Sequence, residues 1–584
     1  MKKLNTILST TFIIAFCLSS MVLLSCKEKE PEIIDKPIVD KPTFKEPVDP
    51  PIAPTMGFFL NEWQAKTYVA PAYTETVITT TAPTTIITVD ASNVLTKIPL
   101  TIFGHNANNW MTRMYNEPIF IKHLTNLKPN IIRWPAGSGS DCHFWNCNQD
   151  QPPADAPTRL KKADGTYQTS GLYTYGKTAN SWQGTLDDYY SVLQQTKSQG
   201  IITVNYGYAR YGTSANPVAT AAHLAADWVR YDNGRTKYWE VGNECYADWE
   251  WGYRIDTDAN KDSQSELLTG GLYAKHFVVF ADSMKKAAAE IGKTIYIGAV
   301  MQESATSSWQ PTITKTWNST MIPGTNNVPD FYIGHNYITP YNENSTASTV
   351  LNSALTVPTT MMNFMKNEIT ANGGTLKPIA FTEWNMWAKD SKQQVSNTSG
   401  TFAVIIQGEA LKNNFGLSAR WDLYNGWDSG NDHGLFSNGD AAEGVAKWTP
   451  RPSFYYMYYF QKCIGDRLVG STSTGTDLVR AYASTYTSGQ GNITLVNTSG
   501  AAQTVQVKFT NFHLGTRFYW YSLEGSNDNG DFSRKVLVNG SGPTGVAGGP
   551  SDYATLKAKS ALTVNGIRVT LQPWSAVFLL VDNL

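Results

Sequence analysis

Eight short apolar runs rich in β-branched and aromatic residues punctuate the chain between residues 100 and 425: LTIFGHN, NIIRWPA, IITVNYG, KYWEVGNE, IYIGAV, FYIGHNYI, PIAFTEWN and SARWDLYN. Their apolar positions do not alternate with polar ones, which is how strands buried on both faces read. Longer stretches of helical character lie between them, among them DDYYSVLQQTKSQG, PVATAAHLAADWVRYDNG, LYAKHFVVFADSMKKAAAEIG and GTFAVIIQGEALKNNFG. Each of these four reaches a Gly, as helix C-termini prefer. Eight strands alternating with helices predict an α/β chain whose residues 101–465 form a (β/α)8 TIM barrel. From 466 to 584 the pattern turns to short alternating segments, NITLVNTSG, QTVQVKFTNF, RFYWYSL and IRVTLQPWSAVFLLV, separated by Gly, Ser and Asn. That pattern predicts a C-terminal antiparallel β-sandwich domain. TTIITVDASNV, within 57–100, is strand-like but precedes the first barrel strand, so it is expected to join the same sandwich.

The first 25 residues read as a signal for secretion through the Sec pathway. They have a basic start, an apolar stretch short for a membrane span, and then LLSC, which resembles a bacterial lipobox with Cys26 as the lipidated residue. Residues 26–56 are rich in Pro and charge and are expected to form an extended tether. The KEKE that opens the tether resembles an export signal for the outer face of the outer membrane. A surface lipoprotein is the expected location, with the outer membrane as partner through the lipid.

Composition narrows the function classes. The formal net charge of −1 over 584 residues leaves no basic face for nucleic acid, and the length suffices for two substantial cores. The 18 Trp suit a site that stacks sugar rings, although they suit core packing equally. Cys142 and Cys147 in DCHFWNC are close enough in sequence for a loop disulfide, whereas Cys245 and Cys463 read as single buried thiols. His143 beside the two loop thiols lacks the second ligand pair of a zinc site, so no metal and no cofactor is expected.

Candidate chemistry lies at the strand ends. Glu244 in KYWEVGNE and Glu383 in PIAFTEWN each close a predicted barrel strand beside an Asn, on strands four and seven. The C-terminal ends of barrel strands are where this fold builds active sites. Two carboxylates there suit cleavage of a glycosidic bond, which needs one group to protonate the leaving oxygen and another to meet the positive charge at the anomeric carbon. As a strand-end carboxylate, Glu383 is expected to face solvent and add little to the core.

FGHNANNW, IIRWPAGS, VNYGY followed by ADWVRYDN, KYWEVGNE, HNYI and FTEWN occur in the order seen in clan A retaining glycoside hydrolases. Over residues 103–387 the chain is most similar to the family 51 α-L-arabinofuranosidases. The resemblance implies that Glu244 is the general acid and later the base, and that Glu383 is the nucleophile. It places Asn243 on the sugar 2-hydroxyl and makes Tyr337 the strand-six tyrosine that hydrogen-bonds the nucleophile. Arg133, ending strand two, is positioned to hold Glu383 ionised. His335 is a candidate to orient the acid or contact sugar, and His105, Asn106 and Trp110 after strand one are candidate sugar contacts. The implied substrate is a plant or algal polysaccharide or oligosaccharide. Two alternatives stand beside it: an endo-acting clan A hydrolase (xylanase, glucanase or agarase), and a non-catalytic glycan-binding lipoprotein.

The long loop after Glu244 offers Trp249, Trp251 and Tyr253 as stacking platforms. Asp256, Asp258, Asn260 and Asp262 alternate like part of a calcium loop, but Lys261 stands where that loop demands Gly and no closing Glu follows. Around strands seven and eight, Trp384, Trp387, Trp421 and Trp427 with Asp422, Asp428 and His433 are candidates to shape the sugar subsite.

Overall fold

The computed structural model describes residues 44–387, 391–425, 433–439, 444–528 and 530–584, so Cys26, Trp427 and Asp428 lie outside the described residues. The eight apolar runs form a closed, all-parallel barrel. Its strands are Gly104–Asn106, Ile131–Trp134, Gln199–Val204, Thr236–Val241, Tyr296–Val300, Phe331–Tyr337, Ile379–Asn385 and Leu417–Arg420, here called strands one to eight. Strand eight pairs with strand one through Ala419 opposite Gly104 and Arg420 opposite His105, which closes the ring. A Cβ on Gly104 would stand 2.4 Å from the Ser418 carbonyl, so this closure admits only glycine. The first run is less of a strand than its sequence suggests, because Leu100–Ile102 turn as a 3-10 helix behind Pro99.

Helices cover the barrel as the alternation requires. Leu186–Thr196 starts at a capping box between Thr185 and Asp188, and Pro217–Asp232 starts at an Asn216 cap with proline in its first turn. Gly270–Glu290 and Asn397–Lys412 complete the four read from the sequence. The structure adds Pro118–Leu127, Pro452–Cys463 and the 25-residue Ala347–Ala371. Thr and Ser, together with Pro358 inside it, hide the helical period of that last helix.

The predicted tether gives way to folded structure before residue 56. Asp49 pairs with Arg467 at 2.6 Å and with Lys97 at 3.1 Å, and Thr55 accepts the Ile379 N–H at 2.8 Å. Phe58 and Phe59 then plug the bottom of the barrel against Ile131, Ile201, Tyr238, Phe331, Ile333 and Leu417.

The C-terminal region forms an 11-stranded sheet around a separate apolar core that includes Ile87, Val469, Ile493, Val505, Val569 and Leu579. All of TTIITVDASNV but its first residue lies within Thr85–Lys97, a 13-residue strand of this sheet whose burial alternates along its first half. It pairs antiparallel with Arg467–Gly475 but parallel with Gln503–Thr510, and Tyr73–Glu75 also pairs in parallel. The domain is therefore antiparallel except where the segments preceding the barrel enter it.

Candidate active site

Strand alternation decides which side chains enter the mouth of the barrel. Arg133, on strand two, is wholly buried and reaches four residues on three other barrel segments. Its Nε donates to Glu240 Oε2 at 2.6 Å and its Nη1 to Glu383 Oε1 at 2.6 Å. Nη1 also donates to Asn106 Oδ1 at 3.1 Å, and Nη2 to Asn243 Oδ1 at 2.9 Å. Glu240, one turn of the pleat below the strand-four terminus, also accepts from Thr203 Oγ at 2.7 Å.

The second carboxylate oxygen of Glu383 accepts from the Tyr337 hydroxyl at 3.0 Å. Glu383 does not face solvent as the sequence suggested: its side chain is only 4% exposed, because Arg133 and Tyr337 close over it. Glu244 has a backbone φ of +39°, a left-handed conformation costly for a side chain with a Cβ and often stored at functional sites. Its Oε1 meets His335 Nδ1 at 3.1 Å and its Oε2 accepts from the Trp249 indole at 3.2 Å. His335 is anchored from behind by Thr382 Oγ at 3.0 Å. One oxygen of Glu244, one oxygen of Glu383 and a nitrogen of His335 lie within 4.8 Å of one another. These three donors have the spacing of a cation site, but Arg133 and His335 already bring positive charge to both carboxylates.

The electrostatics join Glu244 to His335. Burial pushes the Glu244 carboxyl up, but the His335 hydrogen bond and charge outweigh it and leave the group below the ordinary carboxylate range. Burial pushes His335 down, while Glu383 and Glu244 together hold it above the usual imidazole value. The two shifts are mutual: across their hydrogen bond each residue favours the charged form of the other.

Four further buried carboxyls surround this pair, and of these only Asp422 was among the sequence candidates. Glu303, after strand five, is pushed up to about 7 by burial and by the Glu244 charge, and it meets Tyr246, Ser304 and Asn336 only at 3.1 to 3.4 Å. Asp141 is raised to about 7 by burial against the pull of the Asn243, Gly207 and Tyr206 N–H groups. Glu250 is raised by burial and then by Asp141, and it accepts from Asn243 Nδ2 at 3.0 Å and from Ser138 at 2.8 Å. Asp422, after strand eight, is raised to about 8 by burial; it accepts from Asn108, and its Oδ1 has no hydrogen-bond partner among the described residues.

Other sequence candidates fall elsewhere. Trp384 is fully buried and turned away from Glu383 by alternation, with its indole N–H on Ser418 at 3.2 Å, so it packs against the helix layer and not against sugar. Asn106 spends both ends of its amide on the protein, accepting from Arg133 and donating to the Thr382 carbonyl at 2.9 Å. His105 points opposite to Asn106 and shares no hydrogen bond with the two glutamates among the described residues. Trp110 is half-buried, 6.0 Å from the Trp421 ring. Tyr253 is buried, and Asp256 of the calcium-like stretch is held by Arg159 at 2.7 Å. Cys142 and Cys147 are free thiols: the strand His143–Asn148 separates them by about 16 Å of extended chain, well beyond disulfide reach. His143 bonds Thr174 at 2.9 Å instead of facing a metal.

Comparison with solved structures returns the same architecture. An α-L-arabinofuranosidase from Thermotoga maritima, solved with arabinose, aligns at 17% identity over 86% of this chain and 100% of its own, with a TM-score of 0.56. A bifunctional glucanase-xylanase from a metagenome library aligns at 13% identity over 86% and 100%, with a TM-score of 0.55. A family 44 xyloglucanase from Paenibacillus polymyxa aligns at 11% identity over 86% and 100%, with a TM-score of 0.53. At these identities the likeness is one of fold: a (β/α)8 barrel with a terminal β-sheet domain. No protein-family model and no curated protein matches the sequence.

Proposed function

We propose that this protein is a retaining glycoside hydrolase that cleaves sugars from a plant or algal polysaccharide, most like an α-L-arabinofuranosidase. The observation that carries the reading is the spacing of Glu244 and Glu383 on strands four and seven, with carboxylate oxygens within 4.8 Å. Retaining enzymes hold the two carboxyl groups about 5 to 5.5 Å apart, whereas inverting ones need about 6.5 to 9.5 Å to admit a water. The arabinofuranose assignment is supported by the motifs FGHNANNW, KYWEVGNE and FTEWN and by the family 51 enzymes among the structural neighbours.

In the first step Glu383 Oε attacks the anomeric carbon as the glycosidic C–O bond breaks, and the electron pair leaves on the departing oxygen. That oxygen takes a proton from Glu244, the general acid, which His335 orients through their hydrogen bond. In the second step Glu244 removes a proton from water, which attacks the same carbon and frees Glu383 from the ester. Arg133 and Tyr337 orient Glu383 throughout. A glycan-binding protein without catalysis has no use for a paired acid and nucleophile at the ends of strands four and seven. The test is proton NMR of the first sugar released from an aryl α-L-arabinofuranoside. Retained configuration is expected, and inversion would sink the mechanism; hydrolysis of aryl xylosides or glucosides in its place would move the specificity but leave the chemistry.

The LLSC junction followed by a Pro-rich segment supports anchoring through lipid on Cys26 at the outer membrane. Cys26→Ser is expected to release the protein from the membrane fraction, and unchanged fractionation with unchanged lipid labelling would refute the anchor.

A further inference from the structure

Asn243 stands directly before the acid, just beyond the end of strand four, and three separate groups fix it. Its backbone N–H donates to Asp141 Oδ2 at 3.0 Å. Its Oδ1 accepts from Arg133 Nη2 at 2.9 Å, and because a guanidinium can only donate, this contact settles which end of the amide is oxygen. Its Nδ2 is thereby turned to Glu250, where it donates to Oε1 at 3.0 Å. One N–H of the amide is spent there, and the second is bonded to no protein group among the described residues.

Glu250 reaches Asn243 from the loop that follows the acid. Its Oε1 accepts a second bond, from the Ser138 hydroxyl at 2.8 Å, so one oxygen serves donors from the loops after strands two and four. Its Oε2 is buried and has no hydrogen-bond partner among the described residues. The residue is 5% exposed, and burial, then Asp141 and Glu244, raise its carboxyl. An acid placed so costs the fold stability, because half of its bonding capacity goes unmet away from water. What it delivers is a fixed plane for the Asn243 amide. Ser138 and Asp141 belong to the same short 3-10 helix, Ser138–Cys142, so one turn of chain holds Asn243 twice: at its backbone directly and at its side chain through Glu250.

We propose that Glu250 is a positioning residue that holds the Asn243 amide so that its remaining N–H meets the sugar hydroxyl on the carbon next to the anomeric one. The carbon under attack lies between Glu383 and the oxygen that Glu244 protonates. Asn243 adjoins both groups, since it precedes Glu244 in the chain and shares the Arg133 guanidinium with Glu383. The substituent that meets a residue so placed is the 2-hydroxyl, whose hydrogen bonds strengthen as charge develops at the neighbouring carbon. Arg133 alone would leave the amide free to rock about a single bond. Glu250 removes that freedom before the sugar arrives, and a donor already in place contributes most in the transition state. The proposal rests on the glycoside hydrolase reading and deepens it: the site selects sugars whose 2-hydroxyl is free.

The test compares wild type, Glu250→Leu, Glu250→Gln and Ser138→Ala on an aryl α-L-arabinofuranoside, β-D-xyloside and β-D-glucoside, each beside its 2-deoxy counterpart. For the sugar that wild type cleaves best, Glu250→Leu is expected to lower kcat/KM about tenfold, chiefly through kcat, and to change the 2-deoxy counterpart less than about twofold. Glu250→Gln keeps an acceptor oxygen for Asn243 and is expected to recover most of the loss. Ser138 is exposed, so Ser138→Ala should fold and shift the same ratio about threefold in the same direction. Equal losses on both members of a pair, no loss in Glu250→Leu, or no recovery in Glu250→Gln would overturn the positioning role. If Glu250→Leu does not fold, the Ser138→Ala ratio decides, and an unchanged one overturns the proposal. A wild type that cleaves none of the aryl glycosides overturns the exo-acting hydrolase reading together with the proposal, whereas equal losses leave the hydrolase standing.

Discussion

The two ends of the same eight strands carry opposite chemistry. At the floor, Phe58 and Phe59 meet Ile131, Ile201, Tyr238, Phe331 and Leu417 in an apolar cluster. Toward the mouth, the next inward position along strand two is Arg133, and the corresponding one on strand four is Glu240. Above these lie Glu383, Glu244, His335, Glu303 and Asp422, most of them nearly as buried as the floor. The difference shows how a barrel divides labour along its axis: the floor supplies cohesion through apolar burial, while the mouth uses that rigidity to hold charges where water would otherwise relax them.

The largest effect should come from the mouth. Glu383→Ala is expected to lower kcat by about 10⁴-fold or more, because it removes the group that forms the covalent intermediate. It should also cost about 3 to 5 kcal/mol of stability, since Arg133 loses one of its two buried carboxylate partners. Glu383→Gln, which keeps the shape, should be as inactive and far less destabilised. Azide should restore turnover in Glu383→Ala and give a glycosyl azide of inverted configuration. Substantial activity without azide would move the nucleophile elsewhere.

Phe59→Ala should do the reverse. The ring is 4% exposed and meets Phe58, Tyr238 and Phe331 at 4.6 to 5.8 Å, so truncation should cost about 3 to 5 kcal/mol in denaturant unfolding. The kcat of the protein that remains folded should match wild type. A large drop in kcat per folded molecule would mean that the floor and the mouth are not independent.

The smallest effect concerns how stability changes with pH. Asp422 keeps its proton in the folded state up to about 8, whereas an unfolded aspartate loses it near about 4. The folded state therefore binds more protons than the unfolded state across that window, and stability falls as pH rises through it. Asp141 and Glu303 act in the same direction up to about 7. Asp422→Asn removes one such proton and should flatten the slope between pH 5 and 7.5 by about 1.4 kcal/mol per pH unit. Equal slopes in variant and wild type would show that Asp422 is ionised in the fold.

What the sequence revealed follows the same division. The strands were legible because burial on both faces leaves continuous apolar runs, and Glu244 and Glu383 were legible because each ends such a run. Glu240 was missed although a charge inside the run KYWEV, inward like Tyr238 two residues before it, is the signal of a buried partner. Glu303 and Glu250 sit on loops and Asp141 in the short 3-10 helix Ser138–Cys142, where acids are ordinary and only the folded chain shows that they are buried. Trp384 was a candidate to shape the sugar subsite, yet it adjoins Glu383 in a strand, and adjacency in a strand places a side chain on the opposite face. The helix Ala347–Ala371 escaped because most of its exposed positions are Ser, Thr and Asn, which carry little helical signal.

Arg133 has a consequence for how the molecule is assembled. Its guanidinium draws on strand one through Asn106, on strand four and its end through Glu240 and Asn243, and on strand seven through Glu383. A chain with only half its strands in place would hold this cation, or one of its acids, without a counterpart. Half-barrels of this protein, produced by a nick or a premature stop, should therefore be poor intermediates and poor building blocks. The contact that readies the nucleophile acts as a proofreading latch on ring closure, so that a mis-threaded barrel is unstable and inert for the same reason.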